Sequence, residues 1–402
     1  GRSYLWNDAA GTVVWFLAAG IATACGVGGG GIYVPLGILL LGFAPRASTG
    51  LSQASIFGAS LGGLAVNARA RLPPDGKAGH GRPLIDYDAA LYLAPLEMAG
   101  AVLGATAQRV LPDWLLLGAA SGVLAATARR TAGRYAAMRD EERKGSEMPD
   151  PEGSPPGGDA EGGTGEASDG GYSRWHDDGD GGPRRWLLEA DARQYPPEKI
   201  ASLALLWTGL AAVTVLRGAG PPAGLFDCGG GAFVALLVAQ FAWTLGFAAH
   251  QGRRIVASAA ARVRAGYPFR DRDVRWDAAA LRLYGAWTLL AGVVAGLVGI
   301  GGGMVLGPLM LAMNIDPRVS TATTGTMVLL TSSTVAAMAV AGGDVPVTYA
   351  LHFASTCLAG AYAGRAAAEA HVGRTGRASV LVGALAAVGC AASAGCAAMM
   401  VG

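Results

Sequence analysis

Two glycine clusters carry the spacing in this chain that most clearly points to chemistry. GVGGGGIYVP runs from Gly26 to Pro35 and GIGGGMVLGP from Gly299 to Pro308, and both fit G-[VI]-G-G-G-x4-P. Each cluster interrupts an apolar stretch. Glycine costs about 1 kcal/mol against alanine in a helix interior, so three in a row favour unwound backbone. Inside a bilayer, such backbone must line a cavity or be buried in protein, because its NH and CO groups need partners. The segment resuming at about Ile32 or Met304 then presents a new helix N-terminus, whose NH groups and positive dipole end suit an anion. The sequence sets no acidic residue beside either cluster to cancel that field. Gly28, Gly29 and Gly30, with Gly301, Gly302 and Gly303, are therefore candidate substrate-binding backbone. The competing reading is close packing of membrane helices, for which Gly292 and Gly296 already form a GxxxG face. The two roles are compatible.

Side chains near these clusters extend the candidate site. Ser52, Gln53, Thr324 and Thr326 lie nearest the turns in hydroxyl-rich segments and could donate to oxyanion oxygens. Helical Ser and Thr also bond their own backbone or a neighbouring helix. Glu97 sits near the middle of an apolar segment, where a carboxyl is expensive unless protonated or paired. His352 occupies a corresponding segment of the second half, opposite Tyr92 in alignment, and histidine titrates near neutral pH. Glu97 and His352 are candidates for proton coupling, set against a buried structural acid and a hydrogen-bonded core histidine.

Other chemistries fit poorly. The first cluster satisfies GxGxxG literally, yet no βαβ pattern surrounds it and its sister motif ends in Met304. Neither cluster continues into the Gly-Lys-Ser/Thr of a P-loop. The five cysteines, at 25, 228, 357, 390 and 396, lie in or beside apolar segments without metal-ligand spacing. No metal or nucleophile cluster appears, so neither catalysis, a metal nor a cofactor is expected. The net charge of +2 gives no nucleic-acid signature, and the basic residues sit between apolar segments as membrane topology requires.

The elements that must hold these residues follow from composition. Of the residues, 52% are hydrophobic and 15% charged, below the roughly 25% charge of a soluble domain. Sixteen of the 29 acidic residues fall between Arg129 and Lys199, leaving long stretches almost free of acids. Several reach the roughly 20 apolar residues needed to cross a hydrocarbon core. Segments 11–25 and 32–43 are each short, and only the glycine cluster parts them; 285–300 and 303–315 repeat that arrangement. Residues 129–199 include GSPPGGDAEGGTGEASDGG and read as a disordered, solvated linker. Residues 251–282, with eight arginines and three aspartates, read as a basic connector, with a short amphipathic helix from Arg254. Because the chain begins at Gly1 rather than Met, a targeting segment cannot be judged.

The glycine motif is one of three ordered matches between the halves. PRAST at 45–49 pairs with PRVST at 317–321, and MAGAVLG at 98–104 with LAGAYAG at 358–364. The expected fold is an all-α polytopic helical bundle with two inverted repeats, each carrying a Gly-broken helical hairpin. The divisions are a first repeat over 1–128, the linker 129–199, an extra helix pair over 200–250, the connector 251–282 and a second repeat over 283–402. Basic residues crowd 69–82, 129–144, 253–282 and 365–377. The positive-inside rule groups these on one face, with Arg46 on the other and the hairpins entering from opposite sides.

On the paired GxGGGxxxxP motifs, the Pro-x-x-Ser/Ala-Thr stretches and GlyArgAlaSer at 376–379, the sequence resembles the TauE/SafE sulfite exporter family. Cys228 with Ala239–Gln240 is similar to its eukaryotic members. The resemblance implies a secondary transporter, as an exporter, of sulfite, a sulfonate or a related small oxyanion by alternating access. The expected partners are a small anionic substrate and the lipid bilayer, with no nucleic acid. The alternative is a non-transporting membrane scaffold or trafficking protein that binds through the 129–199 linker.

Overall fold

The computed structural model describes residues 6–24, 29–72, 81–108, 110–112, part of 114–140, 183–218, 231–269, 273–375 apart from 275 and 314, and scattered positions between 387 and 394. It is helical almost throughout. The first half contains α1 (Trp6–Ala24), α2 (Gly30–Leu39), α3 (Pro45–Asn67) and α4 (Tyr87–Gln108). A two-stranded antiparallel ribbon, Arg71–Leu72 with Arg82–Pro83, lies between α3 and α4. Then come α5 (Pro183–Ala192), α6 (Pro197–Gly218) and α7 (Gly231–Arg264). The second half contains α8 (Ala278–Val298), α9 (Gly303–Ala312), α10 (Pro317–Ala341) and α11 (Val347–Thr375). Helices over Tyr87–Gln108, Val234–Arg264, Ala278–Val298 and Arg318–Ala341 are long and apolar enough to cross a membrane.

Local chemistry sets the helix ends. Asp277 accepts from the Ala280 NH at 2.6 Å to start α8, and Gly299 ends it in the left-handed conformation at φ 75°. Asp86 caps α4 by accepting from Asp88 and Ala89, both at 3.0 Å. Proline opens α3 and α10, where its missing NH costs nothing.

The chain reverses at both glycine clusters. Gly11, early in α1, lies against the side chains of Leu40 and Leu41 just after α2. Met310 and Met313, at the end of α9, share a cluster with Leu281 and Tyr284 from the start of α8. Two helical hairpins result, each a helix of 19 or 21 residues followed by one of 10.

The helices pack through matching glycines. Gly100 and Gly104 of α4 meet the backbone of α8 at Leu289 and Val293. Their repeat counterparts, Gly360 and Gly364 of α11, meet the backbone of α1 at Phe16 and Gly20. Each half therefore sets its first helix against the fourth helix of the other. The Gly292–Gly296 face reaches Glu97 and Ala101 of α4, as a small-residue interface should. The equivalent helices α3 and α10 run antiparallel. Gly50 lies against Ala339 and Val345. At the other end, Leu64 and Ala68 cluster with Val319 and Ala322, and Thr323 Oγ1 accepts from the Asp86 NH at 2.9 Å.

Two expectations change. Within 129–199, Pro183–Ala192 is a helix rather than solvated linker. Asp191 pairs with Arg262 at 2.9 Å, and the Gln194 amide donates to the Ala68 carbonyl at 2.6 Å. These partners hold a stretch with little apolar surface. Residues 141–182 lie outside the described residues. The extra helix and the basic connector are likewise not separate, since α7 runs unbroken through Arg264.

One end of the bundle carries an ionic latch. Lys199 and Arg262 both pair with Asp88, at 2.7 and 3.3 Å, and Arg82 pairs with Asp273 at 3.1 Å. The Arg82 and Arg262 guanidiniums both lie over the Tyr267 ring, 5.3 and 5.5 Å from its centroid. Its hydroxyl accepts from Arg82 and donates to Asp191 at 2.7 Å. Burial and the Asp191 carboxylate push that hydroxyl above the usual phenol range, so it stays a donor. The opposite end carries Arg46, Gln108 and Asp344 around one recess.

Candidate functional site

The two glycine breaks touch. Gly30, the first residue of α2, packs its Cα against the Ile300 carbonyl of the second break, where a methyl group would overlap. Ile56 of α3 closes over Gly30 and Gly301. Gly29 and Gly301 have φ of 75° and 71°, a conformation that favours glycine.

Ser52 and Gln53 hold this crossing together from the middle of α3. The Ser52 hydroxyl donates to Gly299 O at 2.7 Å and reaches Gly30 O at 3.4 Å, so one side chain spans both breaks. Gln53 Nε2 donates to Ala295 O at 3.1 Å. Both residues are buried. Ser52 satisfies the Gly299 carbonyl at the second break, whereas Gln53 adds a second donor to Ala295 O, which already accepts from the Gly299 NH at 2.9 Å.

Three buried polar groups here have no hydrogen-bond partner: the Tyr33 hydroxyl, Gln53 Oε1 and both carboxyl oxygens of Glu97. Tyr33 and Glu97 are completely buried. A Cβ added at Gly29 would stand 2.7 Å from the Tyr33 hydroxyl oxygen. A Cβ added at Gly302, the repeat equivalent of Gly29, would overlap Glu97 Oε1. Each break thus has one buried polar group, Tyr33 beside the Cys357 thiol and Glu97 beside Thr331, pressed against the same glycine of the motif. This corrects the expectation that no acid stands beside the clusters. Glu97 arrives from α4, whose tight glycine packing on α8 carries it to the second break. Thr331 faces the carboxyl while donating to Met327 O at 3.1 Å.

The remaining candidates fall elsewhere. Thr324 Oγ1 points to Met310 Sδ at 3.3 Å, and Thr326 donates to Ala322 O at 3.0 Å within its own helix. Thr324 thus serves α9–α10 packing and Thr326 its own helix. Gly303 begins α9, and Gly28 lies outside the described residues. His352 meets Thr12 Oγ1 at 2.9 Å on the α1–α11 interface. That contact is roughly 18 Å along α1 from its end at the break, at 1.5 Å per residue. Tyr92, the counterpart of His352, similarly ties α4 to α8 through Leu281 O at 2.7 Å. The pair is therefore a repeated structural tie.

Sequence reasoning missed Tyr33. Its signal was position: it is the fourth residue after Gly29 on a fresh helix, where a long side chain folds back over the first turn. In the second half, Leu306 takes that position, within 3.3 Å of the same construction at Gly302, and Glu97 brings the polar group.

These features define an integral membrane protein, an all-α bundle whose interior holds two broken helices in contact with uncommitted polar groups. Comparison with known proteins agrees with that class. The sequence model of the family described as "Sulfite exporter TauE/SafE" matches residues 2–149. "Sulfite exporter TauE/SafE family protein 3" of Arabidopsis thaliana is 27% identical over 95% of this chain and 76% of its own length. Family protein 2 of the same plant is 28% identical over 91% of this chain and 77% of its own length. No solved structure gives a significant match. The chain is thus similar, over most of its length, to proteins of the sulfite exporter TauE/SafE family.

Proposed function

We propose that this protein is a secondary transporter that exports sulfite or a related small oxyanion by alternating access. The observation that carries this reading is the Ser52 hydroxyl spanning both glycine breaks, which makes the crossing one unit shared by the two halves. The halves form an inverted repeat, a reading supported by the antiparallel run of α3 against α10 and by the reciprocal glycine packing. Inverted repeats meet near the membrane midplane, where irregular backbone can bind an ion.

In the conformation described, the crossing is sealed. Export then requires the hairpins to part, one face at a time, by rocking of one half against the other. Parting frees the backbone NH groups of Gly29 and Gly30 and of Gly302 and Gly303. The same motion releases Ser52 and Gln53 from the carbonyls and lets them donate to oxyanion oxygens. Tyr33 adds a hydroxyl at the first break. Backbone and neutral donors attract an anion without a full opposing charge, which suits a substrate that must leave again.

Glu97 supplies the coupling. A carboxyl at the second break repels an anion when ionised and can donate to it when protonated. Proton and anion would therefore bind together. His352 and the threonines take no part in this scheme.

Reconstituted flux decides the matter. Proteoliposomes should move radiolabelled sulfite in competition with sulfoacetate or sulfate, and an imposed proton gradient should change the rate. Correctly folded, reconstituted protein that moves none of these anions would overturn the reading and favour a scaffold.

A further inference from the structure

We propose a second anion site, a vestibule at the N-terminus of α3, on the face of the membrane opposite the ionic latch. A recess of about 40 Å³ lies there, lined among others by Arg46, Thr49, Gln108 and Asp344. That is room for a water or a small ion, since one water needs only about 10–15 Å³ on this measure.

Three observations give the recess its sign. Arg46, Thr49 and Gly50 belong to the first turns of α3, and Ala44 before them provides no side-chain cap. The helix dipole there favours an anion. Gln108, at the end of α4, is nine-tenths buried and its Nε2 donor has no partner. Arg46 brings a guanidinium and is held at the mouth by donating to Leu111 O at 3.0 Å. Asp344 is the opposing acid.

The repeat supplies an internal control. The matching helix α10 starts after Asp316, whose carboxylate accepts from the Arg318 NH at 2.9 Å. The second half thus fills with its own acid the place that the first half leaves to Ala44. The vestibule is therefore one-sided. It also adjoins the crossing: Thr49 packs on Gly299, whose carbonyl takes the Ser52 hydrogen bond. The ligand class is a small oxyanion. The role as an approach to the crossing rests on the transport reading, whereas the site itself does not.

The test uses a cysteine at Ala105, which lines the recess, in full-length protein with its five native cysteines replaced. A second reporter, Thr49→Cys, guards against misfolding of the first. Anionic ethylsulfonate and cationic trimethylammonium methanethiosulfonates are compared, each rate normalised to a free thiol in solution. The anionic reagent should react at least about tenfold faster, as expected of a charged, focused cleft. Methanesulfonate should protect, Arg46→Gln should collapse the preference and Asp344→Asn should enlarge it. Equal normalised rates, or a preference unmoved by Arg46→Gln at both reporters, would overturn the vestibule. This readout needs no flux, so it can fail while transport stands, and the reverse.

Discussion

Gly30 and Gly302 sit where a single methyl group has nowhere to go. At Gly30 it would overlap the Ile300 carbonyl, and at Gly302 the Glu97 carboxyl. Backbone cannot yield cheaply, whereas a side chain can turn aside. Gly30→Ala should therefore impair folding as well as flux, and Gly302→Ala should mainly displace Glu97. Glu97→Gln keeps the shape and removes the titration. The variant should still reach the membrane at normal yield, and its anion flux should lose its dependence on a proton gradient. A gradient response equal to the wild type would remove Glu97 from the coupling. Tyr33→Phe deletes one buried hydroxyl, which has only the weakly bonding Cys357 thiol beside it. If that hydroxyl binds substrate, half-saturation for sulfite should rise about fivefold, the equivalent of one hydrogen bond of about 1 kcal/mol. Unchanged half-saturation would make Tyr33 a packing residue. Residue chemistry was only partly legible in sequence. The glycine motif announced both breaks because unwound backbone has a compositional cause. Nothing local joined Glu97 to Gly302, some 200 positions away, because that contact depends on how α4 packs against α8. Thr324 aligns with Ser52 yet meets Met310 instead, so equivalent position did not carry equivalent role.

Among the elements, the hairpins and the glycine-packed pairs were readable, because short apolar segments split by glycine have few ways to satisfy their backbone. The ends of the linker and connector were not. Pro183–Ala192 has the composition of a solvated segment and is held by two arginines and a tyrosine from elsewhere in the chain. Asp191 is the centre of that latch, facing Arg82, Arg262 and Tyr267. Asp191→Asn leaves two half-buried arginines short of a charge and should lower stability by about 1–3 kcal/mol, read as a lower melting temperature in detergent. Deletion of residues 145–180 should leave melting temperature and membrane insertion unchanged, because that stretch has too little apolar surface to offset its ordering entropy. Extending the deletion through Asp191 should reproduce the Asp191→Asn loss. A melting temperature that ignores the latch would show α5 to be an ornament on the bundle.

At the scale of the whole molecule, the two ends of the bundle differ where the matching helices differ, with Ala44 before α3 and Asp316 before α10. If the halves are inverted, Arg46 and Arg318 begin equivalent helices on opposite faces, and an impermeant thiol reagent should reach cysteines at those positions from opposite sides. Arg82 and Arg262 belong to the latch and Arg69, Arg71 and Arg264 lie close to them in sequence, a grouping that the positive-inside rule asks for. Such an inversion would give the crossing its purpose, since two hairpins entering from opposite sides can meet only in the middle. The central claim is that this meeting point binds the anion, and Ser52 is the residue that belongs to both breaks. The decisive measurement is sulfite flux into proteoliposomes carrying Ser52→Ala, beside wild type and a Thr326→Ala control that removes a hydroxyl bonded within its own helix. Ser52→Ala should elute normally by size exclusion and lose flux on the order of tenfold or more, as small misplacements of binding groups do, while Thr326→Ala keeps wild-type flux. Full flux through well-folded Ser52→Ala would contradict the claim and leave the glycine crossing as packing alone.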